Sequence, residues 1–310
     1  MQEIKSLTEK VMQNIEKVIV GKHEEVKLVL VSLLCEGHLL VEDVPGVGKT
    51  MLARSIARSL GCSFARIQFT PDLLPSDIAG ITMFNQKKGD FEFKPGPVFN
   101  QIVLADEINR ATPKTQSALL ECMEEKQATI DGVTRRLPIP FLVIATQNPI
   151  EYEGTFPLPE AQLDRFLLRL NLGYPSFEAE NEILIQQQIR HPIEDISQVV
   201  DAESLKEMQK KVKEVHVEQG IREYIVSLVQ ETRKDAHLYL GASPRGSLAL
   251  FKCAQAVAAM EGRDYVIPDD VKIIAVGALA HRMISRSDGV MGKASIEILK
   301  EILQKVPVPQ

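Results

Sequence analysis

Residues 41–50, VEDVPGVGKT, constrain the fold of this chain more than any other stretch. An apolar segment at 38–41 predicts a short buried strand before them, and residues 51–60 predict a helix after them. A strand, a Gly-rich turn ending in Gly-Lys-Thr and a helix together form the phosphate-binding P-loop. Gly46 and Gly48 lack a Cβ, which lets the backbone bring its N–H groups close to phosphate oxygens.

The residues of this turn have separate expected roles. Lys49 would reach the β- and γ-phosphates of a nucleotide, and the Thr50 hydroxyl would ligate Mg²⁺. The N–H groups and positive dipole end of the following helix add to the anion site. The expected nucleotide-binding residues here are Pro45, Gly46, Val47, Gly48, Lys49, Thr50 and Met51. The strict P-loop pattern has a further Gly where this chain has Asp43, so we interpret the motif as a variant.

The composition is that of an ordinary soluble globular protein, with 45% hydrophobic and 25% charged residues among 310. This length allows two domains, or one large domain with an extension. The net charge of −6 gives no support for nucleic-acid binding, although it does not exclude a local basic channel. No apolar run approaches the ~18 residues of a membrane span, and the N-terminus lacks the layout of a signal peptide. The four cysteines lack metal-ligand spacing and fit core thiols, so we expect a cytoplasmic protein.

The first half of the chain alternates between apolar strands and helices. Strands are predicted at 38–41, 63–69, 101–105, 140–146 and 166–172. Because these are mostly continuous apolar runs separated by helices, they predict a parallel sheet covered on both faces. Residues 83–93 and 128–137 predict two hairpins, about a Gly89-Asp90 turn and an Asp131-Gly132 turn. The first hairpin lies in a long irregular segment at about 70–100, and such a segment is usually functional or has structure of its own.

The second half of the chain predicts helices and no strand. A boundary is expected at residues 173–176, GYPS. Helical patterns follow around 205–215, 224–237, 248–260, 268–283 and 296–306. Helices are also predicted at 3–18 and 24–35, before the P-loop. The apolar connection between them, with Val20 and Gly21, could pack on an adenine base or could be an ordinary helix connection.

Two further strand ends have polar residues of the kind that phosphoryl transfer needs. Asp106 and Glu107 follow the third strand, where Asp106 would hold Mg²⁺ and Glu107 would orient or deprotonate the attacking water. Asn148 follows the fourth strand, where its amide could hydrogen-bond both the γ-phosphate and that water. An acidic strand end is usually just solvated, and an Asn before Pro149 is often a turn residue. The upstream P-loop favours the functional interpretation of all three.

Two arginines are candidates for stabilising charge on the γ-phosphate as it leaves. Arg165 lies just before the fifth strand, and an Arg offered there to a neighbouring subunit would make hydrolysis depend on assembly. Arg245 follows Ser243-Pro244, a predicted helix start in the second domain, from which it could touch the phosphates across the cleft. The alternative for Arg165 is a surface pair with Asp164 or Glu160, and Arg245 could be an ordinary surface residue.

Six motifs occur in order between about residues 10 and 285. They are 18–21 (VIVG), 42–50 (EDVPGVGKT), 106–110 (DEINR), 145–149 (ATQNP), 158–166 (LPEAQLDRF) and 243–245 (SPR). Together they resemble the MoxR family of AAA+ ATPases over nearly the whole chain. The substitution at Asp43 resembles the family's own P-loop variant.

This resemblance implies a fold, a site and partners. The fold would be an AAA+ core at 1–174, with strand order 5-1-4-3-2, and a helical lid at 175–310. Residues 70–100 would be the helix-2 insert and 127–138 the hairpin before sensor 1.

The resemblance implies ATP or ADP and Mg²⁺ as cofactors. By motif, Lys49 and Thr50 would belong to Walker A, Asp106 and Glu107 to Walker B, and Asn148 to sensor 1. Arg165 would be the arginine finger and Arg245 sensor 2.

The resemblance also implies an assembly. Members of the family are thought to form hexameric rings and to act as chaperones for client protein complexes, together with von Willebrand A-domain proteins. A magnesium-chelatase-like motor subunit is the nearest alternative. A DNA-translocating ATPase is another, with Arg135 and Arg136 contacting a strand. A scaffold that binds ATP with little turnover is a third, and Glu107, Asn148 and Arg165 speak against it.

Overall fold

A five-stranded parallel sheet forms the centre of the structure, a computed structural model that describes residues 1–149, 154–188, 190–286 and 293–309. Its strands are β1 (Leu39–Glu42), β2 (Phe64–Gln68), β5 (Ile102–Asp106), β8 (Leu142–Gln147) and β9 (Leu168–Leu170). They lie in the order β2-β5-β8-β1-β9, and every neighbouring pair is parallel. Counted along the chain, this is the expected order 5-1-4-3-2, so the predicted α/β fold class is confirmed.

Each central strand divides its side chains between two hydrophobic cores. In β5, Ile102 and Leu104 enter one core, and Val103 and Ala105 enter the other. The strands β1 and β8 divide their side chains in the same way. Successive side chains of a strand point to opposite faces of the sheet. Because each face is covered by a core, consecutive positions of these strands are apolar, which explains the continuous apolar runs in the sequence.

Three helices of the first half lie close to their predicted positions, namely α1 (Gln2–Glu16), α2 (His23–Leu34) and α3 (Lys49–Ser59). Two more helices follow in this half, α5 (Pro113–Glu125) and α6 (Glu160–Leu163). The helix α5 has Pro113 in its first turn, and its C-cap is Lys126, whose φ of 52° is left-handed.

Two hairpins extend from this core, as predicted. The first pairs β3 (Gly80–Asn85) with β4 (Asp90–Pro95) and follows a short helix, α4 (Pro75–Ala79). The second pairs β6 (Gln127–Ile130) with β7 (Val133–Arg136). The guanidinium of Arg135 lies 4.1 Å from the centre of the Phe93 ring, so a cation–π contact joins the two hairpins.

The second half is mainly helical, as predicted, with additions that the sequence did not reveal. Its helices are α7 (Phe177–Gln186), α8 (Ala202–Val212), α9 (Gln219–Lys234), α10 (Pro244–Met260), α11 (Pro268–Leu279) and α12 (Lys293–Lys305). The expectation of no strand was wrong, since β10 (Leu238–Leu240) and β11 (Ile284–Ser285) form a small antiparallel sheet. These strands have three and two residues, which is too short for an alternating pattern to show.

The N-terminal helices bring the two halves together. Contacts join α1 to α10, and α2 to both α8 and α10. One hydrophobic core therefore runs from α1 and α3 into the helices of the second half. The boundary at 174/175 stays a prediction. Within the described residues, every helix is too short or too polar to cross a membrane.

Candidate functional site

The P-loop turn has the backbone conformation that its glycines make possible. Gly46 and Gly48 have φ values of 88° and 94°, in the left-handed region, and Gly48 is the N-cap of α3. A Cβ on Gly46 would point into open space, with no atom within 4 Å. The turn is thus an accessible concave backbone at a helix N-terminus, which suits the phosphate groups of a nucleotide.

Asp43 explains how the variant P-loop is built. Its carboxylate is buried and accepts hydrogen bonds from Val44 N–H at 2.9 Å and Gly173 N–H at 2.6 Å. Its carbonyl oxygen accepts from Lys49 Nζ at 2.8 Å. Asp43 therefore fixes the turn to the segment that leaves β9, a function that a Gly at this position could not perform.

Asp106 lies at the carboxyl end of β5 in a hydrogen-bonded setting. Its Oδ1 accepts from the buried Thr146 hydroxyl at 2.6 Å. Its Oδ2 accepts from Arg66 on β2, at 3.1 Å from Nε and 2.6 Å from Nη2. Both carboxylate oxygens are thus held by hydrogen bonds at the sheet edge where the P-loop lies.

Glu107 has an unusual backbone conformation beside Asp106. Its φ of 57° and ψ of 50° are left-handed, a region that few residues other than Gly adopt. The Glu107 N–H donates to Thr146 Oγ1 at 2.9 Å, and its side chain accepts from Gln68 Nε2 at 2.7 Å and Arg110 Nη1 at 3.0 Å. The carboxylate is therefore held at the sheet edge instead of turning into solvent.

Three strand ends bring these groups together. The carboxyl ends of β1, β8 and β5 are neighbours in the sheet, so Lys49, Asn148, Asp106 and Glu107 share one edge. Asn148 is buried there and takes part in further interactions. The Thr50 hydroxyl and the Asp106 carboxylate are the oxygen ligands that Mg²⁺ prefers, so the residues fit that ion. Elsewhere among the described residues, no cluster of three His, Cys, Asp or Glu side chains could hold a metal.

The connection between α1 and α2 lies against the P-loop. The Ile19 Cδ1 atom is 3.9 Å from where a Cβ of Gly48 would stand. Gly21 has a φ of 72°, and a Cβ there would be 3.0 Å from the Ala179 Cβ on α7. Val20 and Gly21 therefore lie between the P-loop and α7, a place that fits the base of a nucleotide. Their contact with a base stays a prediction.

Arg165 and Arg245 both form ion pairs with the same carboxylate. Glu124, near the end of α5, accepts from Arg165 Nε at 3.1 Å and from Arg245 Nη2 at 2.7 Å. Arg165 precedes β9, so this cluster lies at the amino edge of the sheet, opposite the edge with the P-loop. Arg165 pairs with Glu124 instead of Asp164 or Glu160.

The structure places Arg245 at the amino edge of the sheet. The sequence predicted that Arg245 would touch the phosphates across the cleft, and that contact stays a prediction. The Ser243 hydroxyl, at the start of α10, donates to Asp164 Oδ2 at 3.0 Å. This bond holds the start of α10 at the amino edge, so Arg245 faces away from Lys49 of the same chain.

A cavity of about 700 Å³ opens beside the two arginines. His38, at its inner wall, accepts at Nδ1 from Val143 N–H at 3.0 Å and faces the Met123 carbonyl oxygen with Nε2 at 3.1 Å. Burial lowers the pKa of His38 to about 4, so the imidazole is neutral and Nε2 is the donor.

Several residues of this arrangement were missed in the sequence. Arg66 and Gln68 lie two apart on β2, on either side of the buried Ile67, which is the alternation of a strand with one polar face. That spacing could have indicated a polar face at the sheet edge. Nothing local marks Glu124 or Thr146, because their partners lie 39 or more residues away in the chain.

Family models match both halves of the chain. The model described as "ATPase family associated with various cellular activities (AAA)" matches residues 38–168. The model described as "AAA lid domain" matches residues 230–302.

Individual proteins match it over nearly its full length. The protein YeaC of Bacillus subtilis is 52% identical, over 99% of this chain and 97% of that one. Chaperone MoxR1 of Mycobacterium tuberculosis is 43% identical, over 97% of this chain and 82% of that one. A crystal structure described as a "putative ATPase", from Cytophaga hutchinsonii, superposes with a TM-score of 0.91 at 39% identity, covering 100% of this chain and 97% of that one.

Proposed function

Because the chain belongs to the MoxR family of AAA ATPases, we propose that it hydrolyses ATP at a site shared between neighbouring subunits of a ring. One observation carries this proposal. Lys49, Asp106, Glu107 and Asn148 lie at the carboxyl edge of the sheet, whereas Arg165 and Arg245 meet on Glu124 at the amino edge. A single subunit therefore offers a nucleotide pocket at one edge and an arginine pair at the other. Two subunits packed edge to edge complete one site.

The pocket residues have distinct roles in the proposed reaction. The P-loop N–H groups and Lys49 bind and orient the phosphates, and Asn148 orients the attacking water. Glu107 accepts a proton from that water, and Gln68 and Arg110 hold its carboxylate in place. Thr50 and Asp106 would hold Mg²⁺, which would supply positive charge to stabilise the phosphate oxygens. The neighbour's Arg165 and Arg245 stabilise charge on the γ-phosphate as it leaves.

We further propose that hydrolysis remodels a client protein. The match to Chaperone MoxR1 supports a chaperone-like role. The β3–β4 hairpin exposes Met83, Phe84 and Phe91, an apolar tip that could contact a client. The proposed assembly is a hexameric ring that works with a von Willebrand A-domain partner and client protein complexes. Arg135 packs on Phe93, which favours this role over one in which Arg135 contacts a nucleic-acid strand.

Mixing two inactive variants tests the shared site. Arg165→Ala keeps an intact pocket, whereas Lys49→Ala keeps an intact arginine pair. Each should lose ATP turnover alone. Their mixture should recover part of it, because some interfaces pair an intact pocket with intact arginines. Arg245→Ala should behave like Arg165→Ala, since the two arginines lie together.

The mixture has a clear control and a contrary result. Mixing Arg165→Ala with Arg245→Ala leaves every pocket facing one missing arginine, so the recovery should be much smaller. If native mass spectrometry shows mixed rings and Arg165→Ala with Lys49→Ala stays inactive, the shared site is wrong. If Arg245→Ala instead complements Arg165→Ala fully, Arg245 acts in its own subunit.

A further inference from the structure

Arg282, in the 3-10 helix that follows α11, is almost fully buried and makes an unusual number of contacts. Its Nε donates to Asp164 Oδ1 at 2.7 Å. Its Nη1 donates to the carbonyl oxygens of Leu167 and Ala278, and its Nη2 to those of Phe166 and Asp164. Every one of its five N–H donors thus has an acceptor. Four of these acceptors belong to residues 164–167, the segment that contains Arg165.

The same carboxylate reaches the start of α10. Asp164 Oδ1 binds Arg282, and Asp164 Oδ2 accepts from the Ser243 hydroxyl at 3.0 Å. The Ser243 oxygen in turn accepts from Arg245 N–H at 3.1 Å, as the N-cap of α10. Asp164 is the residue before Arg165 in the chain. Through Ser243, it also holds the first turn of α10, which contains Arg245.

The packing around this unit is tight. A Cβ on Gly246, in the first turn of α10, would be 2.9 Å from Leu279 Cδ2 and 3.7 Å from Arg282 Cδ. The start of α10 therefore lies directly against the end of α11. Burial lowers the pKa of Arg282, and the Asp164 charge opposes that shift, so the guanidinium remains charged. A buried charge held on all sides leaves little freedom for the segments that it joins.

We propose that Asp164 and Arg282 are positioning residues that hold Arg165 and Arg245 as one rigid pair. This inference rests on the proposed function, in which both arginines act on the nucleotide of a neighbouring subunit. The two arginines lie 80 positions apart and on different halves of the chain, so their side chains need a common support to reach one phosphate. The Asp164–Arg282–Ser243 network is that support, and Glu124 contacts only the arginine tips.

Asp164→Asn tests the proposal, because it keeps the size of the side chain and removes the charge that Arg282 and Ser243 share. We expect nucleotide binding to be unchanged and kcat to fall on the order of 10- to 100-fold, the cost of misplacing a group that contacts the transition state. The variant should recover activity when mixed with Lys49→Ala, which supplies an intact arginine pair. It should not recover when mixed with Arg165→Ala, which has a defect on the same side of the interface.

Asp270→Asn is a matched control within the second half of the chain. Asp270 is buried and accepts two hydrogen bonds from Arg263, of 2.6 and 2.9 Å, so the substitution also removes the charge of a buried Asp paired with an Arg. It contacts neither Arg165 nor Arg245. We expect this control to lower the melting temperature and to leave kcat near that of the unmodified protein.

A second variant covers the case in which Asp164→Asn fails to fold. Ser243→Asp keeps an N-cap oxygen for α10 but replaces the donor to Asp164 with a second carboxylate. It should show the same mixing pattern. If both variants fail to fold, or if kcat falls no further than in Asp270→Asn, the network has only a structural role.

The mixing results also separate this inference from the proposed function. If Asp164→Asn recovers with Arg165→Ala and not with Lys49→Ala, it acts on the pocket and the inference is wrong. If Arg165→Ala and Lys49→Ala fail to complement each other, the shared site and this inference both fall.

Discussion

Asp43 shows how one residue can combine a motif with a tertiary contact. The strict P-loop pattern has Gly at this position, and the local sequence shows only that Asp43 departs from it. In the structure, the Asp43 carboxylate binds the N–H groups of both Val44 and Gly173. Gly173 belongs to the segment that leads from β9 into the second half of the chain. The P-loop turn is thus tied directly to the start of that half.

Replacing Asp43 by Ala should weaken ATP binding. The change leaves two backbone N–H groups without their acceptor, and each such loss costs about 1–3 kcal/mol. We expect the Kd for a fluorescent ATP analogue, measured by anisotropy, to rise on the order of 10-fold, with a lower melting temperature. Asp43→Asn keeps one acceptor oxygen and should be intermediate. An Ala variant that binds as tightly as the unmodified protein would contradict this role.

At the scale of elements, the central strands β1, β5 and β8 were predictable because each one is buried on both faces. Their apolar runs are visible in the sequence, and the predicted bounds differ from the observed ones by only a few residues. The helix α7 was missed because Ala179 is its only buried described residue, and Phe177, Leu184 and Ile185 are exposed. A helix without a buried stripe has no periodic pattern to detect.

The candidate site was predictable where its chemistry is local. The residues from Pro45 to Thr50 and the Asp106-Glu107 pair are contiguous in sequence, so a motif locates them, although their roles stay predictions. The pairing of Arg66 with Asp106, or of Glu124 with Arg245, depends on how distant elements pack. No local pattern contains that information, so the sequence alone could not place Arg245 at the amino edge of the sheet.

Thr146→Val should reduce turnover by disturbing the link between β5 and β8. The Thr146 hydroxyl donates to Asp106 and accepts from Glu107 N–H, and Val has nearly the same shape without either bond. We expect kcat to fall on the order of 10-fold, the equivalent of one hydrogen bond to a charged group. Thr146→Ser keeps the hydroxyl and should retain most activity. Equal kcat values for the Val variant and the unmodified protein would show that the Thr146 hydroxyl has no role in turnover.

At the scale of the whole molecule, buried histidines link stability to pH. Burial lowers the pKa of His38 to about 4 and that of His281 well below its usual value. The unfolded chain binds these protons near pH 6.5, whereas the folded chain does not, so stability is full above that pH and falls below it. His38 alone should account for about 2 kcal/mol of lost stability at pH 5.

Thermal unfolding at several pH values between 7.5 and 5 measures this loss. In His38→Gln, the fall in melting temperature across that range should be smaller, because one of the two buried imidazoles is gone. His237→Asn changes an exposed histidine and should keep the original pH dependence. The same slope in His38→Gln and the unmodified protein would mean that other groups cause the loss.

The whole molecule also explains why the proposed hydrolysis should depend on assembly. Its nucleotide pocket and its arginine pair lie at opposite edges of one rigid sheet, so a bend within one subunit cannot bring them together. Contact between two copies of the chain can bring the pocket of one copy to the arginine pair of the other. The shared site and the support for its arginine pair both depend on that geometry.

The steady-state ATPase rate per subunit, measured as protein concentration rises, tests this most directly. Sedimentation over the same range would show where the subunits assemble, and Glu107→Gln would give the background rate. The account predicts a rate per subunit that climbs as rings form and that disappears in Glu107→Gln. A rate above the Glu107→Gln background that stays constant while the protein passes from monomer to ring would contradict the shared site.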